Sequence, residues 1–394
     1  MRLPSSKETK MADDFFKQKR EWSKYKDLIL GYYLTPYLEK VKYLKKPILI
    51  IDCCAGPGLF DDGSAGSPMI IAKHVKTLYD KGVNIKGLFL EKKKKFFTKL
   101  QNNLRPFSAH TEAKHIDFRG YLENIQLMAR NSTIFLYVDP CGIKELPFSE
   151  LSDIYKTIME HNSSVEVLLN FNRPAFIRCG LVALKMDTQG FDIEEGQDEE
   201  SFGGVEGMTT GQMDSIAGGD YWKDIVSDPS VPFLEKEKKI TEFYMQQMND
   251  YFPMVCNFPV QKKYGQLPKY RLIYGTRHGD GILLMNETMY KAREQFLKHE
   301  FAEGFLFDTR PLEESKDMAV FAKRFYEIVE ENGPISRKKI KLIAMQQFFC
   351  GYNYSDYSKT VTKLLEGTEG MKLYSHSGKT RINDDELLST KPFT

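Results

Sequence analysis

The chain has 394 residues, 28% charged and 41% hydrophobic, enough for a large core and two or three domains. Its formal charge of +2 means that any nucleic-acid surface has to be local. No run of eighteen apolar residues, no apolar signal core at the start and no CxxC pair among the six cysteines occurs, so a membrane span, export and an ordinary zinc site are not expected. Each cysteine reads as a small buried side chain in a reducing cytoplasm, and the seven histidines include no close metal-ligating pair.

Residues 12 to 45 carry apolar side chains at three- and four-residue spacing, among them Phe16, Tyr25, Ile29, Tyr33 and Tyr37. This predicts a helical cap, with Pro36 as a break or a new first turn. Lys19, Arg20, Lys24 and Lys26 are assigned to its solvated side.

The organising stretch follows. Pro47 to Ile51 is a short apolar run that closes on Asp52 and breaks into Cys53-Cys54-Ala55-Gly56-Pro57-Gly58. A strand covered on both faces reads this way, and glycines at its C-terminal end let backbone approach a ligand closely. Ser67 is the expected N-cap of a helix from Met69 to Lys81, with Pro68 at its first position. The next apolar run, Ile85 to Leu90, closes on Glu91, 33 residues beyond Gly58. An acid at the tip of the second strand is placed to hold two ribose hydroxyls, so the pair predicts a pocket for an adenosine-containing cofactor.

Further strands are expected at Lys114–Phe118, with Asp117 near its tip, at Thr133–Val138 before Asp139-Pro140-Cys141-Gly142, and at Ser164–Asn170. Alternation with helices predicts a doubly wound, mostly parallel α/β sheet. Arg173 and Arg178 follow the fifth strand tip. Residues 191–220, glycine-rich and with six acids between Asp192 and Glu200, read as a mobile insertion, a lid or a subunit contact. Phe252–Val260 and Tyr270–Thr276, joined by a basic loop with Lys262, Lys263 and Lys269, imply an antiparallel hairpin. By fold analogy, a seven-stranded sheet ending this way is that of Rossmann-like methyltransferases using S-adenosylmethionine.

Residues 316–381 hold twelve basic and seven acidic side chains. Three helices are followed by a hairpin of Met371–Tyr374 with Arg381–Ile382, the outline of a winged helix-turn-helix. Arg337, Lys338, Lys359, Lys363, Lys379 and Arg381 are its candidate phosphate contacts, against a reading of the module as a protein contact. The expected organisation is a helical cap (1–46), a Rossmann-like domain (47–304) with an insertion around 180–250, a linker (305–318) and the winged module (319–388).

The ordered motifs Asp52 to Gly58, Gly66-Ser67-Pro68, Leu90-Glu91-Lys92, Asp139 to Gly142, Leu168 to Phe171 and Tyr270 to His278, with the C-terminal winged segment, resemble the bacterial three-Cys-motif partner proteins. The resemblance covers nearly the whole chain and implies a methyltransferase-like domain that binds S-adenosylmethionine, a defence-associated setting, and a DNA or RNA target. It also implies a protein partner encoded nearby. On this basis Gly56 and Gly58, with Asp52 and Ala55 beside them, hold the methionine and ribose parts. Glu91 binds the ribose, Asp117 or its neighbour the adenine edge, and Asp139 the mouth of the catalytic pocket. Cys141 departs from the family's usual phenylalanine: it is either a thiolate nucleophile on a pyrimidine ring or a small apolar substitute. Three functions stay open: a nucleic-acid methyltransferase, a non-catalytic adaptor, and a protein or small-molecule methyltransferase with the winged unit used for dimerisation.

Overall fold

The computed structural model describes residues 16–140, 142–143, 148–161, 164–188, 207–261, 268–302 and 316–393. The chain divides between Arg277 and His278 into two compact units. The first opens with helix α1 (Glu21–Val41), which continues through Pro36 instead of breaking there and ends in a 3-10 turn, Lys42–Leu44. An interior proline withholds one backbone donor and crowds the preceding turn, at a cost of about 3 kcal/mol, and the packed face of the helix, with Tyr33, Leu34, Tyr37 and Leu38 buried, outweighs that loss.

Alternating strands and helices follow: β1 (Ile48–Asp52), α2 (Ser67–Tyr79), β2 (Ile85–Glu91), α3 (Lys94–Asn103), β3 (Thr111–His115), α4 (Leu122–Ala129), β4 (Thr133–Val138), α5 (Phe148–Glu160), β5 (Val165–Phe171) and α6 (Arg173–Ala183). Three helices, α7 (Thr210–Ala217), α8 (Trp222–Ser227) and α9 (Phe233–Met248), lead to β6 (Met254–Val260) and β7 (Tyr270–Thr276). The strand order is β3-β2-β1-β4-β5-β7-β6, parallel except for β7, which runs antiparallel to both its neighbours. The expected doubly wound sheet with a terminal hairpin is therefore present.

Every residue of β4 and β5 is buried, which is why β4 reads as a near-continuous apolar run and β5 as one interrupted only by Glu166 and Asn170. Ile134, Leu136 and Val138 share a core with Leu122 and Ile125 of α4 and Leu151 and Ile154 of α5. Between them Phe135 turns to the other face, its ring 5.6 Å from Tyr33 and 5.4 Å from Tyr37 of α1. Buried Glu166 accepts from the Tyr33 hydroxyl (2.5 Å) and from Thr276 Oγ1 (3.2 Å), and burial pushes its carboxyl up to about 7.

Further expectations for this unit are corrected. The third strand lies three residues earlier, so Asp117 stands beyond its end and caps the 3-10 turn Phe118–Tyr121. The cap of α2 is Gly66, with Ser67 inside the helix and its hydroxyl turned elsewhere. Part of the expected insertion belongs to the core: Met213, Ile216, Trp222 and Val226 are buried with Val167 and Leu169. The acidic run from Asp192 to Glu200 lies outside the described residues.

The second unit contains α10 (Gly279–Ala302), α11 (Met318–Asn332), β8 (Ile335–Ser336), α12 (Arg337–Gln347), α13 (Tyr354–Glu366), β9 (Tyr374–Ser375) and β10 (Leu387–Ser389). Helix α10 belongs here, not with the sheet: Asn286 donates to the Tyr352 carbonyl (2.9 Å) and accepts from the Cys350 amide (2.8 Å). The strands form a small sheet in the order β8-β10-β9. The wing closes on β10 and not on Arg381–Ile382, because fully buried Leu388 packs with Phe321 and Phe325 and pairs with Ile335. This small helix-and-strand unit resembles a winged helix. Among the described residues no helix is long and apolar enough to cross a membrane.

Candidate functional site

The C-terminal ends of β1, β2 and β4 meet at the bend after Asp52. The Cys53 amide bonds the Tyr137 carbonyl and the Ala55 amide bonds the Leu90 carbonyl, both at 2.9 Å, which ties the bend to both flanking strands. Gly56 (φ 64°) and Gly58 (φ 84°) then take left-handed conformations that side chains disfavour.

Glu91 points straight at this bend. Its Oε2 accepts from the Gly56 amide (2.8 Å) and its Oε1 from the Lys93 amide (2.6 Å), and the residue is only 7% exposed. Burial raises its carboxyl above the usual range, and the two amides oppose that rise. A carboxylate offers about four acceptor positions. The hydrogen bonds to described residues use two, so acceptor capacity for a pair of vicinal hydroxyls remains.

Asp52 is fully buried. Ser67 Oγ donates to its Oδ2 (2.7 Å) and the Cys54 amide to its Oδ1 (3.2 Å), so this acid clamps the loop between β1 and α2. Burial pushes it up to about 7, with Asp139 and Asp27 adding repulsion. Ala55, 5% exposed, supplies backbone to the same bend.

Asp139 is bonded by other side chains. Lys26 Nζ lies 2.8 Å from both of its oxygens, Tyr137 donates to Oδ2 (3.0 Å) and Asn170 Nδ2 to Oδ1 (2.6 Å). Those four donor contacts saturate it. Asn170 is 2% exposed, and its own Oδ1 has no donor among the described residues. Beside the cluster Asp27 pairs with Lys19, yet burial pushes its carboxyl up to about 6.

Lys26, whose charge places it on the solvated side of the helix, is instead 7% exposed. The missed signal is helical phase: Leu30, Tyr33 and Tyr37 lie four, seven and eleven residues on, and all are buried. Phe16 was likewise read as part of a packing stripe. Its ring lies 4.8 Å from Phe96 and 5.4 Å from Phe60, and a Cβ added to Gly56 would come within 2.9 Å of it.

The strand order and reversed seventh strand decide the fold type. The fold is methyltransferase-like. No family model matches the sequence, and no curated protein matches it. Among solved structures the chain is similar to a Legionella pneumophila protein (10% identity, TM-score 0.39, 72% of this chain and 94% of that one). It is also similar to the methyltransferase domain of bacterial CtHen1-C (8%, TM-score 0.31, 64% and 100%). A third is the plantazolicin methyltransferase BpumL in complex with SAH (11%, TM-score 0.30, 70% and 91%). At these scores the fold type rests on the sheet itself.

Other expected site residues separate by burial. Asp117 is exposed and its Oδ1 accepts from the Arg119 amide (3.0 Å). Arg178 (4% exposed) and Lys269 (7%) are buried, so neither presents a surface charge to phosphate; long side chains with apolar stems were absorbed into the core. Cys141, Lys262 and Lys263 lie outside the described residues, as does the side chain of Arg173. In the second unit Arg337 is turned inward, donating to the Ile382 carbonyl (2.7 Å) and to Ser358 Oγ (3.1 Å). Lys338 pairs with Asp280 (2.8 Å). Lys359 and Lys363 on α13 and Lys379 and Arg381 in the wing are exposed.

Proposed function

We propose that the chain is a methyltransferase that uses S-adenosylmethionine to modify nucleic acid, and that it belongs with the three-Cys-motif partner proteins. The observation that carries the cofactor reading is Glu91: a buried acid at the tip of β2, directed at the glycine bend with acceptor capacity to spare. Bound there, the cofactor would supply an electrophilic methyl group. Glu91 would accept from the ribose hydroxyls, and the Gly56–Gly58 backbone would lie against the sugar and methionine parts. Asp52 holds the loop in register through Ser67. Asp139 and Asn170 line the strand tips where an acceptor amine would be oriented, and the Asn170 Oδ1, which has no donor among the described residues, is a ready acceptor for such an N–H.

The nucleic-acid reading is supported by the exposed cations Lys359, Lys363, Lys379 and Arg381, on the third helix and wing of a module of this outline. A cytoplasmic setting suits the free thiols of Cys53, Cys54, Cys179, Cys256 and Cys350. Calorimetric titration with S-adenosylmethionine, followed by a radiolabelled methyl-transfer screen over DNA, transfer RNA, ribosomal RNA and protein, tests the proposal. Binding lost in Glu91→Ala and label on nucleic acid are expected; no binding at millimolar cofactor by the folded protein defeats it. The saturation of Asp139 favours a second reading, an adaptor whose strand-tip acid is structural. Cofactor binding without label on any acceptor class would select it.

A further inference from the structure

The close approach that Gly56 permits is already in use. Having no Cβ, Gly56 lets the Phe16 ring lie against the bend, where an added Cβ would come within 2.9 Å of it and push the ring aside. Among the contacts of Phe16, its ring sits edge-on to Phe96 and tilted against Phe60, and its carbonyl accepts from the Asp61 amide (2.8 Å). Three residues on, the Lys19 amide donates to Asp62 Oδ2 (3.1 Å) and Lys19 Nζ to the Ala65 carbonyl (2.6 Å). Residues 16–19 therefore lie as a short strap across the loop that follows β1. Phe16 is only half-buried and the Lys19 amide's bond to Asp62 is exposed, whereas the Lys19 ammonium pairs with Asp27, both side chains being mostly buried, so Lys19 anchors the strap and the Phe16 end is the part that moves.

We propose that this strap covers the adenosine pocket in the ligand-free chain, with the Phe16 ring occupying the face of Gly56 that the cofactor takes, and that it is lifted when the cofactor binds. The inference rests on the cofactor reading above. Gly56 is common to both contacts, its amide donating to Glu91 and its open Cβ side meeting the ring, so a ligand seated on Gly56 beside Glu91 competes with Phe16. Part of the binding free energy is then spent on displacing Phe16, and apparent affinity is the intrinsic affinity multiplied by the fraction of chains in which the strap is open.

The test uses the full chain and S-adenosylhomocysteine, with calorimetry for affinity and trypsin cleavage at exposed Lys17 for the strap. Phe16→Ala is expected to bind about tenfold more tightly than wild type, ~1.4 kcal/mol. Asp62→Ala, which removes the acceptor of the Lys19 amide together with that of the Ser64 amide and hydroxyl, is expected to give a smaller gain, about twofold. In wild type, ligand is expected to accelerate cleavage at Lys17. If wild type binds but Phe16→Ala binds equally or more weakly, or if ligand slows cleavage, Phe16 is a fixed wall of the pocket and the strap idea is wrong. If neither protein binds at millimolar ligand while both remain folded, the cofactor reading itself fails and takes the strap with it.

Discussion

Glu91 and Asp139 close two strands of the same parallel sheet, each after an apolar run and each near the bend that follows β1. Glu91 is held by backbone amides of its own surroundings and keeps acceptor positions in reserve. Asp139 is held by three side chains, one of them delivered by α1 from 113 residues away. A strand-tip acid anchored by backbone can receive a ligand without giving anything up. One saturated by side chains is a joint between elements, here α1, β4 and β5, and a substrate has to compete with Lys26 for it.

The largest expected effect falls on Glu91. Glu91→Ala is expected to weaken S-adenosylmethionine binding about a hundredfold by calorimetry, since each charged hydrogen bond is worth about 1.5–3 kcal/mol. Unchanged affinity would erase the contrast between the two acids.

For Asp139 the expected loss is stability. Lys26→Met leaves a poorly compensated carboxylate and is expected to cost about 2–3 kcal/mol in denaturant unfolding. That is below the value for a fully buried pair, because the Asp139 side chain is 20% exposed. Combining it with Asp139→Asn should recover part of that loss. Strict additivity in the double mutant would show that the two groups are uncoupled.

Asp52 sharpens the comparison through pH. Its folded carboxyl is raised from 3.8 to about 7, so between those values the folded state binds more protons than the unfolded one. Its contribution is complete below about pH 4 and is lost as pH rises towards 7, with a limiting slope of about 1.4 kcal/mol per pH unit. Asp52→Asn is expected to remove this slope from the stability curve measured by denaturant titration at successive pH values; an unaltered slope would contradict the assignment.

The smallest effects are expected on the second unit. Lys359→Ala with Lys363→Ala should lower the salt slope of duplex binding by about 0.9 per lysine in mobility-shift titrations. Arg337→Ala, whose guanidinium is bonded inward, should instead lower the melting temperature and leave that slope unchanged.

Local pattern made the sheet legible. Apolar runs at Ile48–Ile51 and Ile134–Val138, and a third at Val165–Phe171 broken only by Glu166 and Asn170, mark strands buried on both faces, and the short loop before Tyr270 marks a hairpin. The acid of β2 and the glycine bend were legible for the same reason, since both sit where a strand ends. The wing was misplaced because its strands are only two and three residues long, too short to show a period, and tertiary packing of Leu388 selects the second of them.

The sequence by itself determined the sheet, its reversed last strand and the facing of Glu91 and Gly56, because strand period and turn chemistry are local properties. Only the tertiary structure decided that Phe16 covers Gly56, that Lys26 saturates Asp139, and that Arg178, Lys269 and Arg337 turn inward. Those outcomes depend on which distant backbone lies within one side chain's reach, and a charged residue's type is silent about that.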